Sequence, residues 1–202
     1  MFWGLTMRRI NKIRVLDTND PNFNDDFPQS SFAEMADSES VDNVVDEILR
    51  AVRDDGDDAL LEYTNRFDGR DCRKLSDLFI THDDLERAKM KVDPNVLDAL
   101  KLAATRIQAY HQRQLQESWQ YSEEDGNLLG QKITAIERVG VYVPGGKASY
   151  PSSVLMNVIP ARIAGVNEIV MVVPAPNGEI NPSVLAAAAL AGVEEVWTLG
   201  GA

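Results

Sequence analysis

Apolar residues recur at helical spacing through the first two thirds of this chain and in short unbroken runs through the last third. Val41, Val44, Val45, Ile48, Leu49 and Val52 stand at i, i+3, i+4, i+7, i+8 and i+11, the single stripe of an amphipathic helix. Ser40 is placed to cap that helix and Gly56 to end it. Ala59, Leu60, Tyr63 and Phe67 predict a second, shorter helix before Gly69. Thr81 followed by Asp84 is a capping signal for a helix over 82–92. Asp93-Pro94, an acidic cap with proline at the first helical position, opens another. Its face carries Leu97, Leu100, Ala104, Ile107, His111 and Leu115, which takes it to about Gln116.

The pattern then changes. Residues 133–143 read as extended, either a hairpin or one long strand bent at Glu137-Arg138. Residues 153–164 predict a helix that is apolar nearly all round and therefore buried, with Pro160 kinking or dividing it. Residues 168–173 (EIVMVV) are the uninterrupted apolar run of a strand covered on both faces. Asn181-Pro182 caps an alanine-rich helix that ends at Gly192, and 195–199 form the next strand. Strands alternating with helices of this length imply right-handed parallel crossovers. The fold class expected is α/β: a helical amino-terminal region followed by an incomplete Rossmann-like βαβαβ unit. Three segments are expected: an extended arm over 1–36, a helical part over 37–135, and the start of a nucleotide-binding unit over 136–202. The arm is rich in Asn, Asp, Pro and Ser; such a segment is by default a mobile terminus, and alternatively packs on a partner subunit.

Charge sharpens that division. Beyond Pro151 the only charged side chains are Arg162, Glu168, Glu179, Glu194 and Glu195, so the last third is built to be buried. The net charge of −12 over 202 residues disfavours a nucleic-acid partner, whose phosphates are bound by Lys and Arg. One cysteine, Cys72, excludes an internal disulfide and fits a reducing compartment. No apolar run is long enough to cross a bilayer. The start, MFWGLTMRRI, has its basic residues after its apolar ones, unlike a secretion signal, and Met7 is an alternative first residue. The compartment expected is the cytoplasm.

Candidate chemistry is sparse. Pro144-Gly145-Gly146-Lys147-Ala148-Ser149 lies between a strand and a helix, where glycine lets backbone approach phosphate. It is neither a P-loop, since Gly146 occupies the lysine position, nor a G-x-G-x-x-G fingerprint. Spacing alone leaves it a tight turn or a binding loop, with Lys147 either an anion contact or an ordinary surface lysine. Gly200-Gly201, after the last strand, carries the same two readings. His82 and His111 have no metal-ligating neighbours at a recognisable spacing. Asp83 and Asp84 read as first-turn acids favoured by the helix dipole. Arg70, Arg73 and Lys74 flank Cys72 and are placed to lower the pKa of its thiol, but no base accompanies it, so no catalytic role is expected of it. The acidic runs at 25–26 and 54–58 read as solvated caps and loops.

At Gly140-Val141-Tyr142-Val143-Pro144-Gly145-Gly146 the chain resembles histidinol dehydrogenase. The resemblance continues through Tyr150-Pro151-Ser152-Ser153-Val154-Leu155-Met156-Asn157 and Ile159-Pro160-Ala161-Arg162-Ile163-Ala164-Gly165-Val166. It extends to Leu190-Ala191-Gly192-Val193 and on to Gly200-Gly201-Ala202. Upstream, EILRAVRDDGDDALLEYTNRFDG is similar in a looser way. What the resemblance implies is an enzyme of histidine biosynthesis that oxidises L-histidinol twice to L-histidine, with NAD as acceptor and zinc holding the substrate, working as a homodimer. Relatives oxidise other polar alcohols such as sulfopropanediol, and a non-catalytic remnant is a further alternative. By position, Tyr142 resembles the tyrosine that contacts NAD. The catalytic Glu-His pair and the zinc ligands are implied to lie beyond Ala202, so that these 202 residues are a fragment, inactive alone.

Overall fold

The computed structural model describes residues 17–21, 23, 38–145 and 150–200. Two compact units divide it, Met1–Glu47 and Ile48–Ala202. Of the arm expected over 1–36, only 17–21 and Phe23 are among the described residues. There the Asn19 amide donates to the Asp17 carboxylate at 2.9 Å, forming a local turn. Helix α1 runs Ser38–Asp55, so Ser40 sits inside its first turn and is not its cap. Val41, Val44 and Val45 on its stripe are exposed. In the second unit Ile48 is buried against Ala59 and Tyr63, with Ala51 and Val52 packed alongside. Gly56, at φ +60°, separates α1 from α2, Asp57–Asp68. Gly69 closes α2 in the left-handed conformation that a side chain would resist.

Strand β1, Phe79–Ile80, is only two residues long. Helix α3, His82–Lys91, follows it with the expected capping box. The Asp84 amide donates to the Thr81 hydroxyl at 3.2 Å, and the Thr81 amide donates to the Asp84 carboxylate at 3.0 Å. The Thr81 hydroxyl also bonds Asp84, and Arg87 lies beside it. Together they hold its carboxyl below the ordinary carboxylate range. A depressed folded-state value means stability that is present above that range and is lost as pH falls below about 4. Asp84→Asn is therefore expected to cost about 0.5–1 kcal/mol near neutral pH, at the low end because solvent screens the pair. The urea midpoints of wild type and variant should draw together progressively as pH falls below about 4.

Helix α4, Pro94–His111, is capped by the Asp93 carboxylate, which accepts from the Asn95 amide at 2.8 Å. It ends five residues short of the expected Gln116, because the chain tightens into a 3₁₀ turn over Gln112–Gln114. Leu115 consequently leaves the core and is exposed. A hairpin that the hydrophobic pattern did not predict comes next, β2 Trp119–Ser122 paired with β3 Leu128–Gln131. The extended stretch expected over 133–143 shrinks to β4, Arg138–Tyr142.

Helix α5, Pro151–Ile163, passes through Pro160 without being divided. The proline sits in the last turn, where the carbonyl it leaves free belongs to Met156, on the exposed side. Met156 also corrects the expectation of a helix buried all round: only the face of Val154, Leu155, Val158 and Ile159 is covered. Strand β5 is Glu168–Val172, helix α6 is Pro182–Ala191, and strand β6 is Glu195–Trp197. The sheet order is β1-β6-β5-β4, with β4, β5 and β6 parallel and β1 antiparallel at the edge.

That order steps in one direction from β4 to β6. Right-handed crossovers then put α5 and α6 on the same face of the sheet. Val141, Ile169, Met171 and Val196 point to this face and are buried with Leu85 of α3, Leu100 of α4 and the apolar sides of α5 and α6. Alanines at 186, 187 and 188, all fully buried, let α6 pack close to its neighbours. The opposite face carries Arg138, Gly140 and Tyr142, which are exposed, and Val170 and Val172, which are half-buried. The expectation that β5 is covered on both faces is thus met on one face within this chain. Residues on both sides of position 136 share this single core, since β1, α3 and α4 belong to it as much as β4–β6 do.

Candidate functional site

Three parallel strands deliver their carboxyl ends to one edge of the sheet, where ligands of open α/β folds bind. Pairing extends one residue past each strand. The Val143 amide donates to the Val172 carbonyl at 2.9 Å, and the Val173 amide to the Trp197 carbonyl at 3.0 Å. Backbone order therefore reaches the first residues of the loops. Tyr142, the last residue of β4, is 53% exposed although it belongs to a strand. Its register partners are Val172 and, next, Trp197 and Phe79, a row of apolar side chains across the open face. Phe79 and Trp197 meet edge to face at 5.1 Å between centroids. An aromatic ring left in solvent at the end of a parallel strand is the feature of this edge best suited to a planar ligand.

The loops at that edge touch each other through Pro174. A Cβ on Gly145 would stand 2.9 Å from the Pro174 carbonyl oxygen, and one on Gly200 would stand 2.6 Å from the Pro174 Cβ. Either substitution requires backbone to move, so glycine at both positions lets the loops after β4 and β6 close on the loop after β5. Of the Gly-rich loop, Pro144 and Gly145 are exposed, while Lys147 and its neighbours at 146–149 lie outside the described residues. Gly201 likewise falls outside.

A cation supports the same edge from below. The Arg70 guanidinium donates to the Thr198 carbonyl at 3.2 Å, to the Thr198 hydroxyl, and to the Asp77 carbonyl at 3.0 Å. Thr198 is 3% exposed, and its hydroxyl donates to the Leu78 carbonyl at 2.9 Å. Neither Arg70 nor Pro174 was legible as part of the site. Their partners are distant in sequence, and no local pattern marks a long-range carbonyl clamp.

The remaining candidates are dispersed. His82 and Asp83 are exposed at the start of α3. His111 ends α4 with Nδ1 2.5 Å from the Gln114 side-chain oxygen. Cys72 is buried. Its amide donates to Asn65 at 2.7 Å and its carbonyl accepts from Asn65 at 2.8 Å, which closes the loop after α2. Of the cations that flank it in sequence, Arg70 bonds to Thr198 and Asp77, and Arg73 lies 3.7 Å from Asp71. Among the described residues no group of three His, Cys, Asp or Glu side chains is placed to hold a metal ion, and no helix is long and apolar enough to cross a membrane. Open depressions of about 530 Å³ beside the β2–β3 hairpin and about 200 Å³ between α3 and α6 have no lining from Tyr142.

The chain is similar in sequence and in fold to known proteins. A profile of the histidinol dehydrogenase family matches residues 32–202. The chain belongs to that family. It is 52% identical over 190 residues to the histidinol dehydrogenase of Pseudomonas savastanoi pv. phaseolicola, a match that covers 94% of this chain and 42% of the relative. With the histidinol dehydrogenase of Hydrogenovibrio crunogenus it is 50% identical over 190 residues, covering 44% of that protein. The chain thus spans less than half the length of the curated relatives it matches. A crystal structure of histidinol dehydrogenase from Elizabethkingia anophelis superposes with a TM-score of 0.72 at 30% identity, over 79% of this chain and 36% of that one.

Proposed function

We propose that this chain is the amino-terminal, nucleotide-binding part of an NAD-dependent, zinc-requiring histidinol dehydrogenase that oxidises L-histidinol to L-histidine in the cytoplasm as a homodimer. The observation that carries the reading is the 52% identity to a histidinol dehydrogenase across 190 residues. The strand-end site fits the nucleotide. Glycine at 145 and 200 lets the loops after β4 and β6 pack on Pro174 at the strand ends, and Tyr142 offers an exposed aromatic surface at the end of β4. Bound there, NAD would supply the hydride acceptor.

This chain's own residues orient that ligand. Tyr142 presents its ring to one side, Pro144 and Gly145 present backbone, and the Gly200 loop flanks the opposite side. Zinc is a different matter. The described residues hold no cluster suited to it, so no metal ligand is assigned in this chain, and no step of the reaction is derived from its residues through the metal.

Tyr142→Ala in the complete protein tests the assignment. The KM for NAD should rise about tenfold, equivalent to about 1.4 kcal/mol of lost binding, while kcat with histidinol changes much less. An unchanged KM would remove Tyr142 from the cofactor site.

A further inference from the structure

We infer that Arg70 is a positioning residue for the cofactor, acting through Thr198 on the glycine loop that follows β6. The inference rests on reading the strand-end edge as the NAD site. Its basis is the placement of one cation at a junction of three loops. Gly69, left-handed at φ +63°, turns the chain out of α2, and a Cβ there would lie 3.1 Å from the Asn177 side-chain oxygen in the loop after β5. The next residue, Arg70, reaches the other loop. One nitrogen donates to the Thr198 carbonyl and hydroxyl, and a second donates to the Asp77 carbonyl. The segment before β1 and the strand end of β6 are thereby tied by a single planar group.

Thr198 is held on its other side as well. Its amide donates to the Leu78 carbonyl at 2.8 Å and its hydroxyl to the same oxygen at 2.9 Å. Two residues later Gly200 meets Pro174. The loop is therefore fixed at Thr198 and stopped at Gly200, leaving Leu199 as the sole residue between two restraints. Guanidinium suits this role because its rigid fork serves several acceptors in one plane, whereas an ammonium is a point donor. A loop held before the ligand arrives does not spend binding energy on being ordered.

The test uses the complete protein with zinc supplied, comparing wild type with Arg70→Met, Arg70→Lys, Thr198→Val and the double variant Arg70→Met/Thr198→Val. Arg70→Met should raise the KM for NAD about tenfold, with a smaller change in kcat at saturating NAD and none in the KM for histidinol. Arg70→Lys should recover only part of that loss. Thr198→Val should raise the KM for NAD about threefold, and the double variant should be no worse than Arg70→Met, because both changes cut the same link. A fall in kcat and melting temperature with the KM for NAD unchanged would mean that Arg70 only stabilises the fold, and would overturn the inference. So would fully additive single effects. If wild-type protein shows no NAD binding by calorimetry, the nucleotide reading of the edge fails first, and the role of Arg70 fails with it.

Discussion

Replacing Leu155 by alanine is expected to lower the unfolding free energy by about 2–5 kcal/mol. Leu155 is fully buried on the sheet-facing side of α5, in the core that also contains Met171 of β5 and Val196 of β6. Removing its isobutyl group leaves a void between helix and sheet that neighbouring side chains fill only in part. Against a typical total stability of about 5–15 kcal/mol, that loss is a large share. Met156, the next residue, is 63% exposed, and Met156→Ala is the matched control, expected to shift stability by less than about 0.5 kcal/mol. Urea unfolding of the two variants checks the result. Equal losses would mean that the covered face of α5 has been assigned incorrectly.

The second large effect is on activity. The 202-residue chain alone, given NAD, zinc and histidinol, is expected to produce no NADH, while the complete protein turns over. On the proposed reading the chain supplies one side of a cofactor site, at Tyr142 and the loops of Gly145 and Gly200. Among its described residues it offers no cluster placed to hold a metal. Transition-state stabilisation needs all the reacting groups held together, so if the acid-base pair and the metal of the proposed enzyme are held by residues outside these 202, turnover should be lost entirely. Steady NADH formation by the 202 residues would contradict this.

Much of the architecture could be read from local signals, because those signals act within a few residues. Thr81 with Asp84, Asp93-Pro94 and Asn181-Pro182 each satisfied orphan amides of a helix start, and each helix begins there. Gly69 and Gly192 close helices in the left-handed conformation. Features that depend on distant partners were hidden. Strand β1 is two residues long and exists because Phe79 and Ile80 pair with Trp197 and Val196. The β2–β3 hairpin was missed because both strands are exposed throughout and show no buried period. Its turn signal, Gly126 at φ +89° within a Glu-Glu-Asp-Gly-Asn run, was present.

The covered faces of β5 illustrate a subtler limit. An apolar run cannot say how many of its faces are buried within one chain, and only the strand order shows that both crossover helices lie on the same side. In the candidate site, Tyr142 and the glycines were visible as a motif. Arg70 and Pro174 were not, since a guanidinium aimed at a carbonyl 128 positions away leaves no mark on its neighbours.

The most direct test is to supply the complete, zinc-loaded protein with NAD and a known amount of L-histidinol, then to measure NADH by absorbance and the product by chromatography. Two NADH formed and one L-histidine recovered are expected for each histidinol consumed. No NADH from histidinol, with turnover of a different polar alcohol such as sulfopropanediol, would contradict the proposed function.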